Sequence, residues 1–502
     1  MTDYTLNKEV PLTDTQNEIV GWLLARPTAV VAAQTGLWLG KTYTCLTAVT
    51  HLLLKHKDLV FFVVVPPKAL TVFRKELSTK LKVSYSEIST QNKINNNSRI
   101  YLIANTKLDE CKGILNQLIK KSYKVGMLLD EAHILQSYDN EFTQLIFSIR
   151  KYLSIFWLST ATPCGNDIYG LYNLMTLVDN KVLGTKEEFT RNYLITERKR
   201  VKKFNKITHR YEFPWEDIVI GTKNMDKLQE VISDYVILRQ KKYNLEFITH
   251  KTTLDQDETN SYLEASAGFA RDTSKKNWAV RLNDLQRVVD NVSPVYSNPN
   301  KLASKEKLLM QVVSSLVNDH AMIIYTDLTE VVDRLEMLLK KLKGMGISIG
   351  NIYKITGTQS FDERAKVEKN LTKSAIVLVT SAGTESINLQ KADTVILYDA
   401  MFSLKMAIQL IGRITRMDSG YNKQYVHFIE CIGTIDTYKR LCIDMHADLF
   451  TSLFGEIATL PMELTLIDNK TQSELKKKLL WVFKQGKLPT EEEIKAIINK
   501  NN

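Results

Sequence analysis

The chain has 502 residues, 44% of them hydrophobic and 25% charged, a length beyond one ordinary core and a balance that excludes a disordered or fibrous chain. Lys and Arg exceed Asp and Glu by 67 − 56 = 11, an excess that suits a polyanionic partner. Cys45, Cys111, Cys164, Cys431 and Cys442 form no CxxC pair, so a zinc module and a disulfide framework are not expected.

The N-terminus, MTDYTLNKEV, has no basic-then-apolar leader pattern, and the longest apolar run, Leu59 to Val65, is seven residues long. Neither is a targeting or membrane-spanning signal, and a soluble, cytoplasmic protein is expected.

In chain order, uniformly apolar runs at 29–33, 60–65, 100–103, 127–129 and 155–158 predict strands that helices cover on both faces. A helix is predicted from Thr42 to Leu54. From about 180 to 300 the sequence turns polar, charged and helix-prone, and helical insertions are expected. Within it, 191–210 holds eight Lys or Arg against one acidic residue, Glu197. More than half of the net charge sits there, which marks a functional patch. Apolar strands return at 322–325, 376–379, 395–398 and 425–429. After about 450 a short tail follows, in which Thr490-x-x-Glu493 predicts a capping box. The fold class is therefore α/β, with two parallel-sheet lobes in tandem. The expected domains are 1–178, 179–300, 301–448 and a helical tail, 449–502.

The first strand runs into AAQTGLWLGKTYT, residues 32–44. Gly40-Lys41-Thr42 is the ending of a phosphate-binding loop, in which Lys41 reaches the β/γ-phosphates and Thr42 a magnesium ion. Thr35 stands where the usual spacing has glycine, however, with Gly36 beside it and Trp38 inside the loop. About ninety residues later, KVGMLLDEAHIL ends a buried strand in Asp130-Glu131-Ala132-His133. Carboxylates at that edge of a parallel sheet suit magnesium binding by Asp130 and activation of water by Glu131. His133 would couple this site to the next strand.

Together with further segments these motifs resemble superfamily-two helicase-type ATPases, and among them the Swi/Snf-like DNA translocases, over roughly residues 11–440. PLTDTQNEIVGWLL resembles the family's glutamine element, which implies that Gln16 reads adenine. VVVPPKAL and IANTKL resemble backbone-gripping elements, implying DNA contacts by Pro67, Lys68 and Thr106. LSTATPCGN resembles the TGTP-type element, with Asn166 also agreeing. Thr160 and Thr162 there would sense the γ-phosphate and lie along the DNA.

YKITGTQSFDERAKV and TSAGTESINLQKADTVILYDA resemble second-lobe elements, implying DNA contacts at Gly357 and Ser381. Ser386 stands where the family has glycine. AIQLIGRITRMD resembles the QxxGRxxR element, implying that Gln409 contacts the nucleotide. Arg413 and Arg416 would then serve as arginine fingers. SDYVILRQKKYNLEF and ECIGTIDTYKR resemble stretches particular to the Swi/Snf-like branch.

Thr35–Gly40 registers on the family's D-E-M-G-L-G with the glycine moved to Gly36. Alternatively, AQTG is the general helicase opening, with two residues added before GKT. Thr35, Gly36 and Gly40 are expected at the nucleotide in either case.

The resemblance implies two RecA-like lobes, ATP and magnesium as ligands, and DNA, with duplex favoured, as partner. The basic residues Arg198, Lys199, Arg200, Lys202 and Lys203 are expected to add a second grip on the DNA. Lacking a chromatin-reading module, the chain is expected to be a small bacterial or phage form. A strand-separating or fork-remodelling helicase is the alternative enzyme. A non-hydrolysing, ATP-switched scaffold is the alternative from another class.

Overall fold

The computed structural model describes residues 11–33, 40–88, 98–160, 163, 168–200, 203–205, 210–212, 214–239, 244–271, 278–357, 359, 361–381, 389–401, 404–415, 421, 423–440 and 493. The described chain forms two compact units. One runs to Phe189 and regains the chain at Asn224–Lys241; the other holds Thr190–Lys223 and the chain from Lys242 onward.

The first unit begins with α1 (Asp14–Leu24), β1 (Thr28–Ala33), α2 (Lys41–Lys55), β2 (Leu59–Val65), α3 (Leu70–Lys75), β3 (Ser86–Ile88) and β4 (Ile100–Ala104). It continues through α4 (Lys112–Lys120), β5 (Lys124–Asp130), α5 (Glu141–Ile149), β6 (Ile155–Thr160), α6 (Ile168–Val178) and the start of α7 (Lys186–Tyr193). Between the two stretches of the first unit lie β7 (Leu194–Arg200), β8 (Lys203–Asn205), β9 (Arg210–Glu212) and β10 (Trp215–Thr222). The chain then re-enters the first unit as α8 (Met225–Ser233) and β11 (Val236–Arg239).

The second unit continues with β12 (Leu245–Thr252), α9 (Gln256–Arg271), α10 (Trp278–Val289), α11 (Ser304–Leu316), β13 (Met322–Tyr325) and α12 (Thr329–Gly344). It ends with β14 (Ile352–Ile355), α13 (Phe361–Asn370), β15 (Ile376–Val379), β16 (Thr394–Leu397), α14 (Leu404–Ile411) and β17 (Gln424–Cys431).

All pairings in the two main sheets are parallel. The first has the order β11-β1-β6-β5-β2-β4-β3 and the second β12-β17-β16-β13-β15-β14. Parallel sheets need helices on both faces, which is why β2, LVFFVVV, is buried at every position. Each such Val or Phe contributes about 1.5–3 kcal/mol of burial. Phe61 packs on Trp157 with ring centroids 5.6 Å apart, and the Trp157 indole N–H donates to Arg26 O at 2.9 Å. A Cβ at Gly126 would lie 2.5 Å from the Phe61 ring, so β5 carries glycine where β2 brings its phenylalanine. The second core gathers α11, α12 and the central strands around Val313, Ile324, Val331 and Ile396.

The expected apolar strands form in both lobes. The 179–300 stretch holds the expected helices α7–α10 but also β7–β12, of which β11 completes the first sheet and β12 the second. The 449–502 tail, Glu493 apart, lies outside the described residues, and its capping box with it. Among the described residues no helix is long and apolar enough to cross a membrane.

Candidate active site

The first site grows from the C-terminal edge of the first sheet. There β6 lies between β1, which leads into the phosphate-binding loop, and β5, which ends at Asp130. Ser159 lies opposite Asp130 in the β5–β6 register, and Thr160 lies opposite Ala32 of β1. Open α/β sheets bind ligands outside such strand ends.

Helix α2 starts at Lys41, with Gly40 at its N-cap in the left-handed region, φ 50°. A side chain is strained there. There is also no room for one, because a Cβ on Gly40 would lie 2.5 Å from Gln16 Nε2. Gln16 is held in a capping box at the start of α1. Its Oε1 accepts from Thr13 N at 2.9 Å, and its own N–H donates to Thr13 Oγ1 at 3.3 Å. The capping box thus aims the far end of the Gln16 amide at the loop's last glycine.

Lys41 Nζ lies 3.4 Å from Asp130 Oδ1, and Ser159 Oγ donates to the same oxygen at 2.8 Å. Burial pushes the Lys41 ammonium pKa down, but Asp130 and Glu131 outweigh it and hold the value above that of an ordinary lysine. Lys41 is therefore a fixed cation at neutral pH, set where the first N–H groups of α2 already favour an anion. Cys45, one turn further on, is inert, because burial pushes its thiol up to about 12.

Glu131 has φ 53°, a left-handed conformation for a residue with a Cβ, and its Oε2 lies 3.0 Å from His133 Nδ1. Holding a non-glycine residue there costs on the order of 1–2 kcal/mol. The strain turns the chain sharply off the end of β5 and keeps both acids beside the sheet edge. Thr42 and Asp130 offer a hydroxyl and a carboxylate, the hard oxygen donors that magnesium takes alongside phosphate oxygens and water. Pro67 and Lys68, just after β2, and Thr106, just after β4, are exposed at the same edge.

In the second unit, Gly357 follows β14 and Ser381 follows β15, both at the C-terminal edge of that sheet. Gln409 lies on α14, and Arg413 follows it with 9% of its surface exposed. The Gln424 amide donates to Ile414 O at 2.6 Å, tying the turn after α14 to β17. Thr35, Gly36, Trp38, Thr162, Asn166, Lys202, Ser386 and Arg416 lie outside the described residues.

One cluster had no motif to announce it. Lys305, in the first turn of α11, is fully buried with Nζ 2.8 Å from Asp290 Oδ1, 3.0 Å from Asp399 Oδ1 and 2.9 Å from Asp436 Oδ2. Asp399 Oδ2 accepts from Thr326 Oγ1 at 2.6 Å and from Asp327 N at 2.9 Å, and Lys439 pairs with Asp327. This network joins α10, α11, the end of β16 and the turn after β17. Ser159 was likewise missed as a partner of Asp130. In the sequence it is only the serine before Thr160.

Comparison with known proteins agrees with this architecture. A model described as type III restriction enzyme, res subunit, matches residues 9–164, and a helicase conserved C-terminal domain model matches 304–418. CHD3-type chromatin-remodeling factor PICKLE of Arabidopsis thaliana is 25% identical over 331 residues, 62% of this chain and 22% of that protein. The DNA repair and recombination protein RAD54-like of Drosophila virilis is 22% identical over 353 residues, 62% of this chain and 44% of that protein. The chain is similar to helicase-type ATPases of the Swi/Snf-like kind.

The chain spans less than half the length of those relatives. The solved Sulfolobus solfataricus SWI2/SNF2 ATPase core in complex with dsDNA aligns over 99% of this chain and 98% of that chain, at 16% identity and a TM-score of 0.40. The fold assignment rests on the two parallel sheets themselves.

The expected basic patch falls on paired strands, where helical insertions were expected. Its described residues Arg198, Lys199 and Arg200 fall on an antiparallel ribbon, β7 with β10, in which Arg198 lies opposite Asp217, Lys199 opposite Glu216 and Arg200 opposite Trp215. Lys203 lies opposite Glu212 where β8 pairs with β9.

Proposed function

We propose that the protein is an ATP-driven motor that moves along duplex DNA with little sequence preference. The observation that carries this reading is the junction of Lys41, Asp130 and Ser159 at one sheet edge, with Glu131 beside it. Lys41 and the N–H groups of α2 bind the β- and γ-phosphates, Gln16 receives the adenine, and Glu131 orients and deprotonates the attacking water. Magnesium, held through Thr42 and Asp130, supplies charge neutralisation at the phosphates. Arg413 and Arg416 bring positive charge to the γ-phosphate when the lobes close on ATP.

Pro67, Lys68, Thr106, Thr160, Thr162, Gly357 and Ser381 grip phosphates of the DNA. Lobe opening after hydrolysis then shifts one set of contacts relative to the other. Phosphate gripping makes binding weakly sequence-selective and strongly salt-sensitive.

The test is phosphate release with and without duplex DNA, for wild type and Glu131→Gln. Duplex should stimulate release in the wild type, and Glu131→Gln should lower it about 100-fold or more while ATP still binds. Unstimulated wild-type release would favour the scaffold reading. Displacement of a triplex strand, compared with unwinding of a duplex, separates translocation from strand separation.

A further inference from the structure

The ribbon between the two stretches of the first unit carries chemistry that a motor on duplex DNA does not require. The β8–β9 pairing continues the β7–β10 register, from Thr196 opposite Val219 to Asn205 opposite Arg210. The two short sheets therefore share one hairpin register, with a bulge near the β7–β10 base between Val219 and Gly221. At the usual strand rise, β7 alone spans about 20 Å.

Charge is unevenly distributed along this hairpin. The described residues of the far part, 198–215, hold Arg198, Lys199, Arg200, Lys203 and Arg210 against one acidic residue, Glu212, together with the aromatics Phe204, Tyr211 and Trp215. The near part, 190–197 and 216–223, holds Arg191 and Lys223 against Glu197, Glu216 and Asp217. Trp215 is 55% exposed, and Arg200 lies over its ring at 5.4 Å from the centroid. Strand alternation and antiparallel pairing place Arg198, Arg200 and Trp215 on one face.

We propose that this hairpin engages DNA at unpaired bases, with Trp215 stacking on a base while Arg198 and Arg200 take the flanking phosphates. Phosphates alone call for Lys and Arg. A half-exposed indole adds a flat apolar surface, and its natural complement in nucleic acid is the face of a base. Bases inside a duplex have both faces covered by their neighbours. The complement is therefore a junction, a fork or a displaced strand, and the hairpin gives the motor a preference for DNA that is partly open. The inference rests on the DNA-motor reading and deepens it by naming the DNA structure that the motor meets.

The full-length protein is titrated with a labelled fork and with a fully paired duplex of equal length, for wild type, Trp215→Ala, Trp215→Phe and Arg198→Ala/Arg200→Ala. Trp215→Ala should weaken fork binding about 5- to 150-fold, the range of one lost base stack, and duplex binding less than about twofold. Trp215→Phe should restore most of the fork affinity. The arginine pair should lower both affinities and flatten the salt dependence by about one to two counterions.

Trp215 is exposed at a strand end, and thermal melting of each variant shows that the fold is kept. Equal loss on fork and duplex, or no loss on either, would overturn the stacking role while leaving the motor reading intact. Wild type that binds neither DNA would overturn both.

Discussion

Replacing Lys305 with methionine removes the ammonium that contacts Asp290, Asp399 and Asp436, each of which has no side-chain exposure. Burial, then the neighbouring Asp399, drive the Asp290 carboxyl well above the ordinary carboxylate range, against the pull of Lys305. Asp399 behaves differently. Burial pushes it up too, but Lys305 and Lys439, with the Thr326 and Asp327 hydrogen bonds, bring it down to about 2. Breaking a buried pair by deleting one partner costs about 3–5 kcal/mol.

The structure sets a second limit on that cost. Without its ammonium, Asp399 can escape by taking a proton, and from its ordinary value of 3.8 this costs about 4.4 kcal/mol at pH 7 and about 1.6 kcal/mol at pH 5. Lys305→Met should therefore lower the opening free energy of the second unit by about 4 kcal/mol at pH 7. The deficit should shrink by about 1.4 kcal/mol per unit as the pH falls to 5. Hydrogen exchange at the β13 and β16 amides reads this free energy locally, apart from the first unit. Adding Asp399→Asn should recover part of the loss. A deficit below about 1 kcal/mol at pH 7, or one of equal size at pH 5, would refute the idea that the ammonium compensates buried carboxylate charge.

Gly40→Ala places a Cβ in a left-handed conformation, at about 1–2 kcal/mol, and pushes it against the Gln16 amide. Its ATP affinity should fall about tenfold or more in a fluorescent-nucleotide titration, and unchanged affinity would separate Gln16 from nucleotide binding. His427, on β17, is 2% exposed and its Nδ1 lies 2.9 Å from His250 Nε2. Burial, then the neighbouring His250 and His320, bring its pKa from 6.5 down to about 4. The unfolded chain therefore takes up a proton at higher pH than the folded one. The contribution of His427 is complete above about pH 6.5 and disappears as the pH falls to about 4, a loss of up to about 3 kcal/mol. Unfolding of the second unit at pH 7 and pH 4.5 should show it, and His427→Phe should remove that part of the acid sensitivity.

The sequence by itself determined the elements buried on all sides and the chemistry at their ends. Runs such as LVFFVVV and MIIY can only be covered strands. GKT and DEAH are strings whose function depends on residues adjacent in the chain. Lateral order was another matter. That β6 separates β1 from β5, and so brings Ser159 to Asp130, rests on pairings between residues 29 and about 130 positions apart, which no local periodicity encodes.

The four-residue strand β11 joins β1 from across the chain, and β12 likewise joins β17. Both looked like polar connecting sequence, because an edge strand needs no uniform apolar run. Lys305 reads as a surface lysine in SKEK until three distant aspartates close over it. The basic run around Arg198 reads as a charged patch in helix-prone sequence until antiparallel pairing sets Arg200 beside Trp215. Local strings specify what a residue can do chemically, while long-range pairing and burial decide which partner it meets and what surrounds its charge.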